Sequence, residues 1–123
     1  MVPKKILLID DEPMVATLLK VRVASRGFLV ETAIDGASGL HKAQTWQPDL
    51  VLLDILMPEM DGYEACRRLK AGKKTGHIPV VFFTALREPQ IEVLAREAGA
   101  VCVVQKPFVD QIFKAFQEIF DRQ

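Results

Sequence analysis

The 123-residue chain predicts an α/β fold: a single doubly wound (βα)5 domain with a parallel five-stranded sheet. Three observations carry this expectation. Short apolar runs alternate five times with segments of helical periodicity. The apolar runs are nearly continuous rather than alternating with polar residues, which is the pattern of strands covered on both faces. Pro, Gly and Asp punctuate the joins, and no internal repeat, linker or low-complexity stretch interrupts the series. A chain of this length, taken as one domain over residues 1–123, buries roughly two thirds of its unfolded surface and needs neither a disulfide nor a structural metal.

Lys4–Ile9 reads as the first strand because Ile6, Leu7, Leu8 and Ile9 are apolar in succession. Pro13 suits the first turn of a helix in which Val15, Leu18, Leu19, Arg22 and Val23 recur at helical spacing until Gly27 stops it. Phe28–Ala33 is the second strand. Asp35 is placed to cap a helix carrying Ala37, Leu40, Ala43 and Gln44, closed by Pro48. Asp49–Asp54 is the third strand, around Leu50-Val51-Leu52-Leu53, and the turn Met57–Gly62 leads to a helix over Tyr63–Ala71. After the polar loop 72–77, Pro79 opens the strand Val80–Thr84, and a helix over Glu88–Ala98 ends at Gly99. A fifth strand, Val101–Val104, precedes Lys106-Pro107 and a last helix over Val109–Arg122, in which Ile112, Phe116, Ile119 and Phe120 share a core face and Phe113 lies toward its flank.

Composition narrows the function classes. Sixteen Lys plus Arg balance sixteen Asp plus Glu, so no broad basic field exists to draw in a phosphodiester backbone, and nucleic-acid binding through this segment is not expected. The longest apolar runs fall far short of the roughly 18 residues of a membrane span, so no membrane insertion is expected either. Met1–Lys5 and the short apolar run that follows are too little for a signal-peptide core, which gives a cytoplasmic location as the expectation. Cys66 and Cys102 lack Cys-x-x-Cys spacing and a neighbouring His, and read as buried, inert thiols. His41 and His77 have no partner at metal spacing and read as surface residues.

In open sheets of this kind ligands sit outside the carboxyl ends of the strands, beside the point where strand order reverses. For the doubly wound order 2-1-3-4-5 the reversal lies between the first and third strands. The first ends in Asp10-Asp11, the third in Asp54, the fourth in Thr84, and the fifth runs into Lys106, whereas the second ends in uncharged Ala33. Three carboxylates in one crevice coexist only if a cation or protonation offsets them. Carboxylate and carbonyl oxygens suit Mg2+, which binds one or two protein carboxylates and leaves its other positions to water and phosphate oxygens. The Lys106 ammonium and the Thr84 hydroxyl add a positive charge and a hydrogen-bond donor, completing a phosphoryl site.

The segments Leu8-Ile9-Asp10-Asp11-Glu12-Pro13, Leu53-Asp54-Ile55-Leu56-Met57-Pro58-Glu59-Met60-Asp61-Gly62, Phe83-Thr84-Ala85 and Lys106-Pro107-Phe108 resemble the motifs of a response-regulator receiver domain, in that family's order and spacing. The resemblance covers the whole chain and implies a flavodoxin-like fold like that of the chemotaxis regulators. It implies that Asp54 is the phosphoacceptor of a two-component phosphorelay, taking a phosphoryl group from a phosphohistidine on a histidine kinase or histidine phosphotransfer protein. It also implies that Asp11 and Asp54 bind Mg2+ directly, that Asp10 acts through water, and that the backbone carbonyl of Leu56 adds an oxygen. Lys106 would neutralise a phosphoryl oxygen, and Thr84 would hydrogen-bond the aspartyl phosphate and shift toward it. Ala85 would leave the phosphate room, and Pro107 would follow a cis bond. By family resemblance the domain is no conventional enzyme, although it assists its own phosphorylation and dephosphorylation, and it forms a homodimer or docks an effector through the fourth helix, fifth strand and fifth helix.

The sequence departs from the family pattern at Val101-Cys102-Val103, where a switch aromatic is usual at the position of Val103. Two further readings stand beside the phosphoacceptor: a degenerate receiver kept as a protein-docking module, and an Asp-nucleophile phosphatase. The second is disfavoured because Leu56 occupies the place where a haloacid-dehalogenase-type enzyme carries an acid. A flavodoxin-like electron carrier is disfavoured because Asp10-Asp11-Glu12 would repel a flavin phosphate.

Overall fold

The computed structural model describes residues 2–123. Strands β1 (Lys5–Ile9), β2 (Leu29–Ala33), β3 (Leu50–Leu53), β4 (Val80–Thr84) and β5 (Cys102–Gln105) form one sheet in the order β2-β1-β3-β4-β5. Every pairing is parallel. The intervening chain forms α1 (Pro13–Ala24), α2 (Gly36–Trp46), α3 (Gly62–Ala71), α4 (Ile91–Ala98) and α5 (Val109–Asp121). Side chains of successive strand residues point to opposite faces, so one continuous apolar run feeds two cores. Leu7, Ile9, Val51, Leu53, Val80 and Phe82 face Ala43, Ala65, Leu69 and Ala95 of α2, α3 and α4. Ile6, Leu8, Leu50, Leu52, Val81 and Phe83 face Leu19, Val23, Ile112 and Phe116 of α1 and α5. Central β3 is buried along its whole length, which contributes on the order of 2 kcal/mol per side chain.

Local chemistry sets the helix ends. The Asp35 carboxylate accepts the Ser38 N–H at 2.8 Å, and Asp61 accepts the Glu64 N–H at 3.0 Å, capping α2 and α3. Pro13 opens α1, and Gly99 ends α4 at φ 101. No described helix is long and apolar enough to cross a membrane.

The structure departs from the sequence reading in five places, the first being α2, where Ala37 and Gln44 are exposed and Gly36, Gly39 and Ala43 are the buried residues. The fourth helix begins at Ile91 rather than Glu88, because Pro89 disfavours helical backbone in the residue before it. The fifth strand begins at Cys102 and runs through Gln105, one residue later than expected, and Val101 is partly exposed outside it. The α1 core face is Ala16, Leu19 and Val23, whereas Leu18 turns outward with Met14 and Val21, at 66%, 78% and 64% exposure. Cys66 is buried as expected, but Cys102 is only half-buried. Burial pushes the Cys66 thiol up to about 11 and also raises that of Cys102. His41 and His77 are exposed.

Candidate functional site

The parallel ladder continues one residue beyond the strand ends and carries the carboxylates to the rim of the sheet. The Asp10 N–H donates to the Ala33 carbonyl at 3.1 Å, and the Asp54 N–H donates to the Ile9 carbonyl at 3.0 Å. At the far side the Lys106 N–H donates to the Thr84 carbonyl at 2.9 Å. Residues separated widely in sequence are thereby brought to one edge by backbone register alone.

At that edge Asp10, Asp11, Glu12 and Asp54 each present a carboxylate oxygen, all within 4.8 Å of one another. Asp10 and Asp54 are buried, Asp11 is half-buried and Glu12 is exposed. Lys106 Nζ lies between two of the carboxylates, donating to Asp10 Oδ2 at 2.9 Å and to Asp54 Oδ2 at 3.1 Å. Burial opposes the ammonium charge, but the hydrogen bond to Asp10 and the fields of Asp54 and Asp10 outweigh it, and the Lys106 pKa ends above the ordinary lysine value. The remaining oxygens are also oriented. Asp10 Oδ1 accepts the Glu12 N–H at 2.9 Å, and Asp54 Oδ1 accepts the Ile55 N–H at 2.7 Å. One ammonium against four carboxylates leaves a strong local excess of negative charge, and the all-oxygen donor set fits a hard divalent cation. Among the described residues nothing donates to the Leu56 carbonyl, which leaves that oxygen free.

Thr84 is fully buried, and its hydroxyl accepts the Leu86 N–H at 3.1 Å. Gly62 fixes the floor of the site. Its N–H donates to the Ile55 carbonyl at 2.8 Å, and a Cβ built there would fall 2.3 Å from the Asp54 carbonyl oxygen and 2.6 Å from Ile55 Cα. Only a residue without a side chain lets α3 start this close to Asp54. The Lys106-Pro107 bond is cis, as the sequence reading expected.

Of the residues singled out in the sequence, Asp10, Asp11, Asp54 and Lys106 meet at the strand ends, Thr84 closes β4 beside the Lys106 backbone, and Leu56 follows Asp54 by two residues. Sequence reasoning missed three others. Glu12 joins the acidic cluster and was marked only by adjacency to Asp10-Asp11. Tyr63 donates its hydroxyl to Glu88 Oε1 at 2.9 Å and packs edge-on against Phe82, with ring centroids 5.7 Å apart. Burial, followed by the Glu88 hydrogen bond, pushes the Tyr63 phenol up to about 12. Arg87 reaches across to Gln105 and Lys106. Neither Tyr63 nor Arg87 carries a sequence signal, since the partners lie 18 or more residues away.

Comparison with known families decides the assignment: the profile of the response regulator receiver domain matches residues 6–117. The chain belongs to that family. This receiver is 42% identical over 105 residues to the alkaline phosphatase synthesis transcriptional regulatory protein PhoP of Bacillus subtilis, which covers 85% of the chain and 43% of the relative. It thus spans under half the length of that relative. Among solved structures it is similar to the chemotaxis protein CheY4 of Vibrio cholerae, with TM-score 0.89 and 27% identity over 95% of this chain and 98% of that one. It is also similar to the receiver domain of the sensor histidine kinase PA1611 from Pseudomonas aeruginosa, with TM-score 0.85 and 26% identity over 95% and 97% of the two chains. That structure has a magnesium ion coordinated in its active-site cleft. The chain thus has the five-stranded parallel fold expected from its sequence and is a response regulator receiver domain.

Proposed function

We propose that this receiver, one domain over residues 1–123, works in the cytoplasm and accepts a phosphoryl group on Asp54 from a phosphohistidine of a histidine kinase or histidine phosphotransfer protein. The observation that carries this reading is the Lys106 ammonium held between Asp10 and Asp54 inside an acidic cluster. Mg2+ would be held by Asp11 and Asp54, by Asp10 through water and by the Leu56 carbonyl, supplying positive charge opposite the transferring group. The Asp54 carboxylate attacks phosphorus as the bond from phosphorus to the donor nitrogen breaks, with the electron pair leaving on the imidazole. The Ile55 N–H holds Asp54 Oδ1 and fixes the carboxylate plane. Lys106 offsets charge on the phosphoryl oxygens, and the Thr84 hydroxyl, which accepts the Leu86 N–H, donates its own proton to the phosphoryl group. These residues accelerate transfer and later hydrolysis by positioning and charge neutralisation, without a conventional enzyme's turnover of a separate substrate.

Exposed apolar side chains follow the site residues closely in sequence. Met14 lies three residues after Asp11, Leu56 two after Asp54 and Phe108 two after Lys106, with exposures of 78%, 53% and 50%. They supply the apolar contact by which a phosphodonor protein would dock over Asp54. A homodimer or effector surface on α4, β5 and α5 is consistent with Val93 and Val101, exposed at 59% and 41%. The test is incubation with Mg2+ and acetyl phosphate followed by intact-mass spectrometry. One phosphoryl group is expected on the wild type, with none on Asp54→Asn or in the presence of chelator. An unmodified wild type under saturating donor would replace this reading with that of a docking module.

A further inference from the structure

Arg87 lies in the β4–α4 loop, three residues after Thr84, and is exposed. Its guanidinium reaches over the end of the sheet, where Nη1 donates to Gln105 Oε1 and Nη2 donates to the Lys106 carbonyl at 3.0 Å. The Lys106 N–H is itself bonded to the Thr84 carbonyl at 2.9 Å. Both peptide groups flanking the Lys106 Cα are therefore fastened from the β4 side, one by the ladder and the other by Arg87. From that anchored Cα the side chain extends to place its ammonium between Asp10 and Asp54.

Arg87 forms no salt bridge among the described residues: its charge is spent on two neutral oxygens. A planar fork that meets two acceptors at once fixes their relative position, which a single ammonium cannot do. Immediately before it stands Leu86, whose N–H is bonded to the Thr84 hydroxyl at 3.1 Å. One side chain thus connects the loop that carries the Thr84 contact to the backbone that carries the Lys106 ammonium.

We infer that Arg87 is a positioning residue for phosphoryl transfer to Asp54, acting through the main chain of Lys106, with the Gln105 side chain as its second anchor. This rests on the phosphoacceptor reading above and adds a residue to it. Arg87 touches neither Asp10 nor Asp54, so its loss acts on the site through the Lys106 segment it fastens.

The test is a double-mutant cycle on the full chain with Mg2+ and acetyl phosphate, following the rate of Asp54 phosphorylation by intact mass. Arg87→Ala is expected to slow phosphorylation about five-fold, the worth of roughly one net hydrogen bond. Its Mg2+ affinity should stay within about two-fold, because no metal-binding oxygen is touched. In a Lys106→Ala background, Arg87→Ala should cost nothing further, since the group it positions is gone. A second measurement, the 15N-detected NMR signal of the Lys106 ammonium, is expected to broaden in Arg87→Ala while strand amide shifts stay in place. Wild-type kinetics in Arg87→Ala, or the same five-fold loss in both backgrounds, or an unchanged ammonium signal, would overturn the inference. A wild type that takes up no phosphoryl group, or a Lys106→Ala variant as fast as wild type, would overturn the underlying reading with it.

Discussion

Replacing Lys106 by Met keeps most of the side-chain volume and removes the ammonium that separates two nearly buried carboxylates, whose side chains are 5% and 4% exposed. At separations of 2.9 and 3.1 Å each lost attraction is worth roughly 5 kcal/mol in gross terms at an effective dielectric constant of about 20. Most of this is cancelled, because the ammonium no longer has to be desolvated, and Asp10 and Asp54 keep their bonds from the Glu12 and Ile55 N–H groups. Removing one partner of a buried pair costs about 3–5 kcal/mol, and the 15% exposure of the Lys106 side chain places this case near the low end, at about 3 kcal/mol. For a chain of this length that corresponds to a fall in Tm of roughly 10 °C in chelator at pH 7. The ammonium's folded pKa is raised, so its stabilisation is complete below the ordinary value of 10.5 and is lost only as pH rises through the folded value; a measurement at neutral pH captures all of it. A divalent cation offsets the same carboxylates, so Mg2+ should raise the Tm of the variant more than that of the wild type. Thermal unfolding by circular dichroism, with chelator and with Mg2+, checks both points. A variant as stable as wild type in chelator, or equal gains from Mg2+, would refute the electrostatic account of the site.

Gly62→Ala should cost about 2–3 kcal/mol, because its Cβ meets backbone that cannot yield, whereas Gly27→Ala, with φ +93 and open space around it, should cost only about 1 kcal/mol; chemical denaturation of the two variants compares them directly. Tyr63 is the chain's one tyrosine, so absorbance at alkaline pH reports it alone: its ionisation midpoint is expected at about 12, falling only part of the way toward the ordinary 10.0 in Glu88→Gln, because burial, the larger cause, remains. Since the folded phenol holds its proton more tightly than the unfolded one, stability should decline as pH rises from about 10 to 12, and an unchanged midpoint in Glu88→Gln would exclude the Glu88 contribution. Thr84→Ala should still accept a phosphoryl group on Asp54 yet lose most of the phosphorylation-dependent change in hydrogen exchange over Ala85–Val104, whereas Val103→Ala should retain it.

The strands and the residues at their carboxyl ends were legible because a strand buried on both faces admits nothing but apolar residues, so Asp10, Asp54, Thr84 and Lys106 stand out where each run stops. Helix α1 was less legible. Its apolar residues are distributed around the helix, and periodicity alone could not separate Leu19, which packs on β1 and β3, from Leu18, which faces solvent. The start of α4 was missed because Pro89 acts on its neighbour rather than on the periodic pattern. The contacts of Tyr63 and Arg87 were invisible for a different reason: both are fixed by tertiary approach of loops, and the hydrogen bonds involved join exposed or half-buried groups that obey no spacing rule.

Those two contacts change how the absence of a ring at Val103 is understood. Val103 pairs with Phe82 and packs into the core beneath α3 and α4, so β5 itself offers no aromatic that could swing between two positions. An aromatic tie to the β4–α4 loop comes instead from α3, where Tyr63 lies against the same Phe82 and holds Glu88. Three consecutive loop residues are thereby fastened to three different elements: the Leu86 N–H to the Thr84 hydroxyl on β4, Arg87 to Gln105 and Lys106 at the end of β5, and Glu88 to Tyr63 at the start of α3. A phosphoryl group that draws the Thr84 hydroxyl toward Asp54 competes directly with the first of these bonds and loads the other two through a chain only two residues long. The differential affinity of the phosphoryl group for the shifted Thr84 must therefore exceed the worth of whichever of these fastenings the shift breaks, each on the order of 1 kcal/mol, before the loop and α4 can rearrange.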